Sequence, residues 1–355
     1  MTIPLIMVPA WKKCSKKFSR KIRKGTAIMK TAVMKTPMIQ TLLEKSSRIL
    51  LVSHVQPDGD AIGSLLGLGL SLHAKGKNIV MYNEDPVPAS FAFLPGADLI
   101  VQDTGDIDSF DTLIVLDSGD AERMGKKAAK LKKIPAILNI DHHPSNTGFG
   151  THNLIDTDAA STTVMIWRLL KEMHWDIPLD AAWGIYTGIF TDTGGFRFGN
   201  TNTEALNIAA EMTACGVHPE TVATNILGSY SFSYISLLQK ALASIRLCAD
   251  GKLATMTLTR SMFEETGASE EEASGLVNYA RYIRGVKMAV LVREKEEDAD
   301  LPWKVSMRAD KDIDASAIAV AHGGGGHRAA AGFSTALSPD AILDMLENQI
   351  QSQGI

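Results

Sequence analysis

SHVQPDGDAIGS, residues 53–64, decides the fold because it joins an apolar segment to a helix through a tight polar turn. The preceding residues 49–52, ILLV, have the composition of a short buried strand. The tetrapeptide PDGD at 57–60 is typical of a turn, with Asp60 as the expected N-cap of a helix over residues 61–74. In open α/β sheets ligands bind in the crevice at the carboxyl end of such a strand.

This turn carries one imidazole and two carboxylates, from His54, Asp58 and Asp60. Ordinary turn and capping chemistry explains the two aspartates without any ligand. Alternatively, the three side chains bind divalent cations, since carboxylate oxygens with an imidazole suit Mn²⁺, Mg²⁺ or Zn²⁺. Further candidate ligands at later strand ends would favour the second interpretation.

The remaining chain predicts two α/β domains. Four further apolar runs predict strands at 78–82, 99–102, 112–116 and 136–140, and a helix is expected over 122–133. Strands that alternate with helices indicate a doubly wound, mainly parallel sheet. Four helices are then predicted, at 161–174, 179–191, 203–214 and 218–227. A connecting helix at 231–247 leads to alternating strands and helices that predict a smaller α/β domain with a mixed sheet.

Charge and composition indicate where the domains begin and end and in which cellular compartment the protein works. Residues 1–38 carry ten Lys or Arg and no acid, and they are expected to be a disordered or non-native leader, with a nucleic-acid arm or a transit sequence as alternatives. We expect domains at 39–228 and 251–355, joined by a linker at 229–250. The scattered Cys14, Cys215 and Cys248 favour a reducing cytoplasm, and no segment approaches the length of a membrane span.

Four separate segments carry candidate metal ligands. Asp117 ends the strand at 112–116, Asp141-His142-His143 ends the strand at 136–140, and Asp192 lies in a predicted glycine-containing loop. Each residue alone could be a cap, a turn residue or a buried polar corner. Because carboxyl ends of parallel strands share one edge of a sheet, all four segments together predict a metal site there.

The chain resembles the DHH phosphoesterases with a C-terminal DHHA1-type domain, over roughly residues 45–335. The resemblance lies in five motifs in family order: HVQPDGDAIGS, VLDSGD, NIDHHPSN, TDTGGFRF and GGGGHRAAAGF. The layout is most similar to the compact bifunctional oligoribonuclease and 3′-phosphoadenosine-5′-phosphate phosphatase group. That group uses two divalent metal ions, so Mn²⁺ is expected, with Mg²⁺ or Co²⁺ as alternatives.

The resemblance also implies roles for individual residues. Six are implied metal ligands: His54 and Asp58 for one ion, Asp60, His142 and Asp192 for the other, and Asp117 as the bridge. His143 would face the scissile phosphate, with Asp141 orienting the neighbouring histidines. In the second domain the implied phosphate clamp is Arg308, Gly324, Gly325, Gly326 and His327. The family usually has Arg-Ser where this chain has Arg308-Ala309, so a hydroxyl is expected to be missing beside the arginine.

The implied function is hydrolysis of short oligoribonucleotides to 5′-mononucleotides and dephosphorylation of 3′-phosphoadenosine 5′-phosphate to AMP. The implied enzyme is cytoplasmic, has no membrane partner and is a homodimer. The alternatives are a cyclic- or linear-dinucleotide phosphodiesterase, a RecJ-like single-strand exonuclease and a non-catalytic nucleotide sensor. Against cyclic dinucleotides as the main substrate, no membrane or sensory segment precedes the DHH motifs. Against the second, no further nucleic-acid-binding domain follows residue 335.

Overall fold

A computed structural model describes residues 26–228, 230–273, 275–295, 300–310 and 312–352. The chain divides into two compact units, residues 1–229 and residues 230–355. Each unit contains one six-stranded sheet with its own hydrophobic core. In the described part of the chain, no helix combines the length and the apolar character that crossing a membrane requires.

The first unit is built on a parallel sheet with the strand order β3-β2-β1-β4-β5-β6. Its strands are β1 Ile49–Ser53, β2 Ile79–Tyr82, β3 Ile100–Val101, β4 Thr112–Leu116, β5 Ala136–Asp141 and β6 His152–Ile155. The chain winds outward on one side of β1 and then on the other, so the order reverses between β1 and β4. Ligands bind at such a switch point. The prediction of a doubly wound parallel sheet is confirmed, although β6 was not predicted.

Helices cover both faces of this sheet. They are α1 Thr26–Lys45, α2 Gly59–Ala74, α3 Ala128–Leu131, α4 Thr162–Glu172, α5 Leu179–Asp192, α6 Thr203–Ala214 and α7 Pro219–Leu227. Helices α2 and α5 approach closely through glycines, since a Cβ on Gly63 would lie 2.4 Å from the Gly184 carbonyl oxygen. Asp58, and not Asp60 as predicted, caps α2, because its side chain accepts from the backbone N–H groups of Asp60 and Ala61.

Two other predicted segments differ from the structure. The helix expected over 122–133 is broken at Gly125, whose φ of +93° is outside the helical region. A short 3₁₀ turn, Ala121–Met124, and the four-residue α3 replace it. Helix α1 runs across residue 38, and its residues Ile39 and Leu43 are buried in the core. The last part of the expected leader is therefore helical, while residues 1–25 lie outside the described residues.

The second unit has a mixed sheet with the order β11-β12-β10-β9-β8-β7, in which β8 and β9 are parallel and the other neighbours antiparallel. Its strands are β7 Arg246–Cys248, β8 Leu253–Leu258, β9 Met288–Glu294, β10 Trp303–Ala309, β11 Gly325–His327 and β12 Ala330–Thr335. Its helices are α8 Phe232–Ala243, α9 Arg260–Thr266, α10 Val277–Arg281, α11 Ala315–Ala321 and α12 Pro339–Ser352. The predicted smaller α/β domain with a mixed sheet is confirmed. The connecting helix ends at Ala243, because the residues after it form the edge strand β7.

Candidate metal centre

The register of three neighbouring strands brings the predicted ligands to one edge of the first sheet. Ser53 of β1 lies beside Leu116 of β4, and Leu116 lies beside Ile140 of β5. The residues that follow these three are His54, Asp117 and Asp141, which therefore leave the sheet side by side. Asp117 adopts a left-handed φ of +57°. Such strain in a non-glycine residue is concentrated at functional sites.

The potential ligand atoms form three overlapping groups, in each of which all atoms lie within 4.8 Å of one another. The groups are His54, Asp58 and Asp117; Asp60, His142 and Asp192; and Asp117, His142 and His143. The two carboxylate oxygens of Asp117 face different histidines: Oδ2 lies 3.6 Å from His54 Nε2 and Oδ1 lies 3.7 Å from His142 Nε2. Asp117 thus stands between two sets of donors.

The first set consists of His54 and Asp58 with Asp117. His54 Nε2 lies 3.8 Å from Asp58 Oδ1. His54 Nδ1 lies 2.8 Å from the carbonyl oxygen of Val55, an acceptor that places the ring proton on Nδ1. His54 Nε2 therefore points toward the carboxylates, and with the proton held on Nδ1 it is the atom that would bind a metal ion.

The second set consists of Asp60, His142 and Asp192. His142 Nε2 lies 3.2 Å from Asp192 Oδ2 and 4.0 Å from Asp60 Oδ2. His142 Nδ1 faces the Ala159 carbonyl oxygen at 3.3 Å, so Nε2 is again the free ligand atom. Asp192 is the last residue of α5 rather than part of a loop, which corrects its predicted setting.

His143 is held by a carboxylate that is itself held by an amide. Its Nδ1 lies 2.7 Å from Asp141 Oδ1, and Asn146 Nδ2 donates to Asp141 Oδ2 at 2.6 Å. His143 Nδ1 is also 3.7 Å from Asp117 Oδ1. Burial lowers the pKa of His143, but the bond to Asp141 outweighs it and raises the pKa. The imidazole is therefore fixed in orientation and favoured in its protonated form.

The N-terminus of helix α4 supports two of the carboxylates, which the sequence analysis did not anticipate. The backbone N–H of Thr162 donates to Asp60 Oδ2 at 2.6 Å, and that of Thr163 donates to Asp60 Oδ1 at 3.0 Å. The Thr162 hydroxyl donates to Asp117 Oδ1 at 2.9 Å, and the Thr163 hydroxyl donates to Asp60 Oδ1 at 2.8 Å. Ser161 caps the helix, as SST at its start indicates. The sequence Ser161-Thr162-Thr163 by itself gave no indication of the hydrogen bonds to Asp60 and Asp117.

The electrostatics of the cluster match a site for cations. Burial, with repulsion from Asp117 and Asp192, raises the pKa of Asp60 well above its usual range. Burial also raises the pKa of Asp192 to about 6, against the bond to His142. Burial lowers the pKa of His142, but the bond to Asp192 and the negative charge of Asp60 outweigh this and raise the pKa to about 10. Carboxylates this close to one another repel, so some of them take up protons when no cation is bound between them. Oxygen-rich donor sets with one imidazole each fit two hard divalent cations.

In the second unit, two residues predicted to form the phosphate clamp lie at the same position along the sheet, on the two strands that flank β12. Arg308 on β10 and His327 on β11 both lie opposite Ala330 of β12. Two of the glycines before His327 allow close approach, because a Cβ on Gly324 would lie 2.2 Å from the Gly332 carbonyl oxygen and a Cβ on Gly326 would lie 2.6 Å from the Ala330 carbonyl oxygen. Gly325 and Gly326 belong to β11 itself.

Two features of Arg308 bear on anion binding. Its Nη1 donates to the Met307 carbonyl oxygen at 3.0 Å, and within the described ranges no carboxylate lies at ion-pair distance from it. Burial and the charge of Arg281 lower its pKa. Ala309 is buried in the core on the opposite face of β10. A serine hydroxyl at this position would therefore point into the core and away from the Arg308 side chain.

Both units are similar to known protein families. The model of the DHH family, N-terminal domain, matches residues 48–189, and that of the DHHA1 domain matches residues 250–352. A bifunctional oligoribonuclease and PAP phosphatase of Thermus thermophilus is 36% identical over 80% of this chain and 83% of that protein. A protein of the same description from Bacillus subtilis is 31% identical over 85% of this chain and 93% of that protein. The crystal structure of an exopolyphosphatase-related protein from Bacteroides fragilis has a TM-score of 0.85 at 26% identity, covering 90% of this chain and 96% of that one.

Proposed function

Because the chain belongs to the DHH family and carries a DHHA1 domain, we propose that it is a metal-dependent phosphoesterase that acts on short RNA and on a nucleotide bisphosphate. It hydrolyses short oligoribonucleotides to 5′-mononucleotides and dephosphorylates 3′-phosphoadenosine 5′-phosphate to AMP. The observation that carries the proposal is the position of Asp117, whose two oxygens face two separate donor sets at the switch point of the sheet. Two relatives with this pair of activities in their names match most of the chain.

The two donor sets are proposed to hold two divalent cations, with Mn²⁺ as the physiological ion. His54 and Asp58 bind one ion, Asp60, His142 and Asp192 bind the other, and Asp117 bridges them. Bound there, the ions supply Lewis acidity, which lowers the pKa of water and neutralises charge on phosphoryl oxygens. The chain contributes rigid ligand positions, since the backbone and side-chain bonds from helix α4 leave Asp60 and Asp117 little freedom to rotate.

His143 is proposed to contact the scissile phosphate. Asp141 holds the imidazole through Nδ1, so that Nε2 carries the second proton of the protonated ring and donates it in a hydrogen bond. A donor of this kind favours the charge that develops on a phosphoryl oxygen in the transition state. Asp141 acts through His143 and is a positioning residue, with Asn146 fixing it in turn.

The proposal also assigns a separate role to each domain. Residues 39–228 form the catalytic domain, residues 229–250 the linker, and residues 251–355 the domain that binds the end of the substrate. The terminal phosphate is bound by Arg308 with Gly324, Gly325, Gly326 and His327. Among the described residues no carboxylate lies at ion-pair distance from Arg308, so its guanidinium is available to pair with a phosphate. Arg308→Ala should raise KM for a dinucleotide about tenfold or more. Equal effects on a generic phosphodiester would contradict the clamp.

Location and assembly complete the proposal. The protein acts in the cytoplasm, which the separate cysteines of the chain support. It acts as a homodimer, and a stripe of exposed apolar side chains on α8, namely Phe232, Ile235 and Leu242, supports this. Light scattering after size-exclusion chromatography tests the assembly, and a monomer at micromolar concentration would contradict it.

A product assay with Mn²⁺ tests the function. The substrates are a dinucleotide, a 24-mer, 3′-phosphoadenosine 5′-phosphate and a cyclic dinucleotide. Rapid release of mononucleotide from the dinucleotide, and of phosphate from the bisphosphate, is expected. Preference for the 24-mer would favour a single-strand exonuclease instead, and preference for the cyclic compound would favour a cyclic-dinucleotide phosphodiesterase.

The variant Asp117→Asn tests whether the measured activity comes from this metal centre or from a contaminating enzyme. Asparagine keeps the shape and tolerates the left-handed φ of this position, but it cannot supply a bridging carboxylate. Both activities should fall by about a thousandfold or more, with the fold retained. The matched control is Asp98→Asn, on the exposed surface, which should keep full activity. Activity close to the original in Asp117→Asn would remove the bridging assignment.

A further inference from the structure

The segment that directly follows strand β2 is hydrogen-bonded to the turn that carries His54. Asn83 is fully buried there, and its Nδ2 donates to Ser53 Oγ at 2.7 Å and to the His54 carbonyl oxygen at 2.8 Å. Asn83 Oδ1 accepts from the backbone N–H of Asp85 at 2.9 Å. Both amide protons and the amide oxygen therefore have partners, as a buried amide requires. Two of these three bonds go to the end of β1 and its first ligand residue.

Asp85 extends the same connection by one more bond. Its Oδ2 accepts from the backbone N–H of Gln56 at 2.6 Å, and Gln56 has a left-handed φ of +54°. A non-glycine residue holds such a conformation only with support from its surroundings. Between the two contacts, the Val55 N–H donates to the Arg123 carbonyl oxygen at 2.8 Å. Each of the three residues 54–56 is thus bonded through its backbone to a neighbouring segment.

The backbone of this turn determines the direction of the His54 ring. His54 Nδ1 lies 2.8 Å from the Val55 carbonyl oxygen, so the ring is oriented by the peptide group that the bonds from Asn83 and Asp85 enclose. His54 Nε2 then faces Asp58 and Asp117 at 3.8 and 3.6 Å. The support of the other donor set is separate. Asp60 in that set is held by the N-terminus of helix α4.

We infer that Asn83 and Asp85 are positioning residues that set the affinity of one of the two proposed cation sites, the site of His54 and Asp58. They act through the backbone of residues 54–56 and do not contact the ion. Without them the imidazole must be ordered when the ion binds, which weakens binding at this site alone. The inference rests on the proposed function for the presence of two ions, and it adds which segment controls the occupancy of one of them.

Titration calorimetry with Mn²⁺ on the full chain tests the inference. Asn83→Val keeps a branched side chain that suits the end of a strand and removes the amide. One of the two Mn²⁺ dissociation constants should rise about tenfold or more, and the other should stay within about threefold. In a dinucleotide assay the Mn²⁺ concentration for half-maximal rate should rise by the same factor. The KM for the dinucleotide at saturating Mn²⁺ should stay within about twofold.

Asp85→Ala is a second variant, at a half-buried position, and it should show the same selective loss, about threefold or more. The matched control is Asp111→Ala. Asp111 is also half-buried, and its Oδ2 accepts from the backbone N–H groups of Ser47 and Arg48 at 2.7 and 3.2 Å, at the amino end of β1. Urea unfolding in EDTA should show a similar loss of stability in both variants, while Asp111→Ala keeps both Mn²⁺ affinities.

Three results would overturn the inference: unchanged Mn²⁺ affinities in a folded Asn83→Val variant, equal weakening of both ions in it, or the same selective weakening in Asp111→Ala. If Asn83→Val does not fold, Asp85→Ala decides, and unchanged affinities there would overturn the inference. Failure of the proposed function would show differently. The unsubstituted protein would then bind two Mn²⁺ ions without hydrolysing a dinucleotide, whereas the calorimetric comparison does not depend on turnover.

Discussion

Thr162→Val should weaken the metal centre by a measurable amount. The Thr162 hydroxyl donates to Asp117 Oδ1 at 2.9 Å, and both side chains are buried. Valine has nearly the same shape but no hydroxyl, so the carboxylate oxygen loses one donor that water cannot replace. A hydrogen bond to a charged group contributes about 1.5–3 kcal/mol, so the free energy of unfolding without metal should fall by about 2 kcal/mol. The backbone bond from Thr162 to Asp60 is retained.

The same variant should bind metal less tightly, because the freed carboxylate of Asp117 must be ordered again on binding. Loss of an outer partner of a metal ligand typically lowers affinity by about ten- to a hundredfold. Urea unfolding in EDTA measures the stability, and titration calorimetry with Mn²⁺ measures the affinity and stoichiometry. Both readouts are independent of turnover.

Thr187→Val is the matched control for this prediction. Thr187 is equally buried, but its hydroxyl has no hydrogen-bond partner within the described part of the chain. Removing that hydroxyl should leave stability unchanged or slightly higher, and Mn²⁺ affinity unchanged. Equal losses of stability in the two variants would mean that the Thr162–Asp117 bond contributes nothing specific. Unchanged Mn²⁺ affinity in Thr162→Val would refute its role in positioning the ligand.

Two further predictions concern pH and close helix contact. Without metal, the Tm should fall as pH rises from about 6.5 toward 10, because burial lowers the pKa of His54 and His142 but the neighbouring carboxylates outweigh it and raise the pKa of each to about 10 in the folded protein. Their stabilising contribution is full below the unfolded pKa of about 6.5 and is lost as pH rises through the folded value; a Tm independent of pH in EDTA would contradict this. Gly63→Ala should lower the Tm strongly, since its Cβ would lie 2.4 Å from the Gly184 carbonyl oxygen, whereas Gly199→Ala meets nothing within 4 Å and should not. Similar Tm values for these two variants would show that α2 and α5 separate at little cost.

The ligand set and the class of fold are local properties of this sequence. The runs TLIVL and AILNI are each followed directly by an aspartate, and the run ILLV is followed by Ser53 and then His54. An apolar strand with polar residues after it is encoded within about ten residues. The carboxyl ends of neighbouring parallel strands lie at one edge of a sheet, so the sequence predicts that these residues gather there. The sequence alone was therefore sufficient to predict the doubly wound sheet and to propose the candidate ligands, whose roles as metal ligands stay a prediction.

Partners far apart along the chain depended on the tertiary structure. The bonds from Thr162 to Asp60 and Asp117 span 102 and 45 residues, and a Ser-Thr-Thr start of a helix gives no indication of where its N-terminus points. The face on which Ala309 lies follows from strand register, in which a shift of one residue reverses every side chain. The order of the strands and the contacts between distant elements depend on how the whole chain buries its apolar surface. Caps, turns and hydrophobic periodicity depend on residues that are close together in the sequence. Only these local features could therefore be predicted from the sequence.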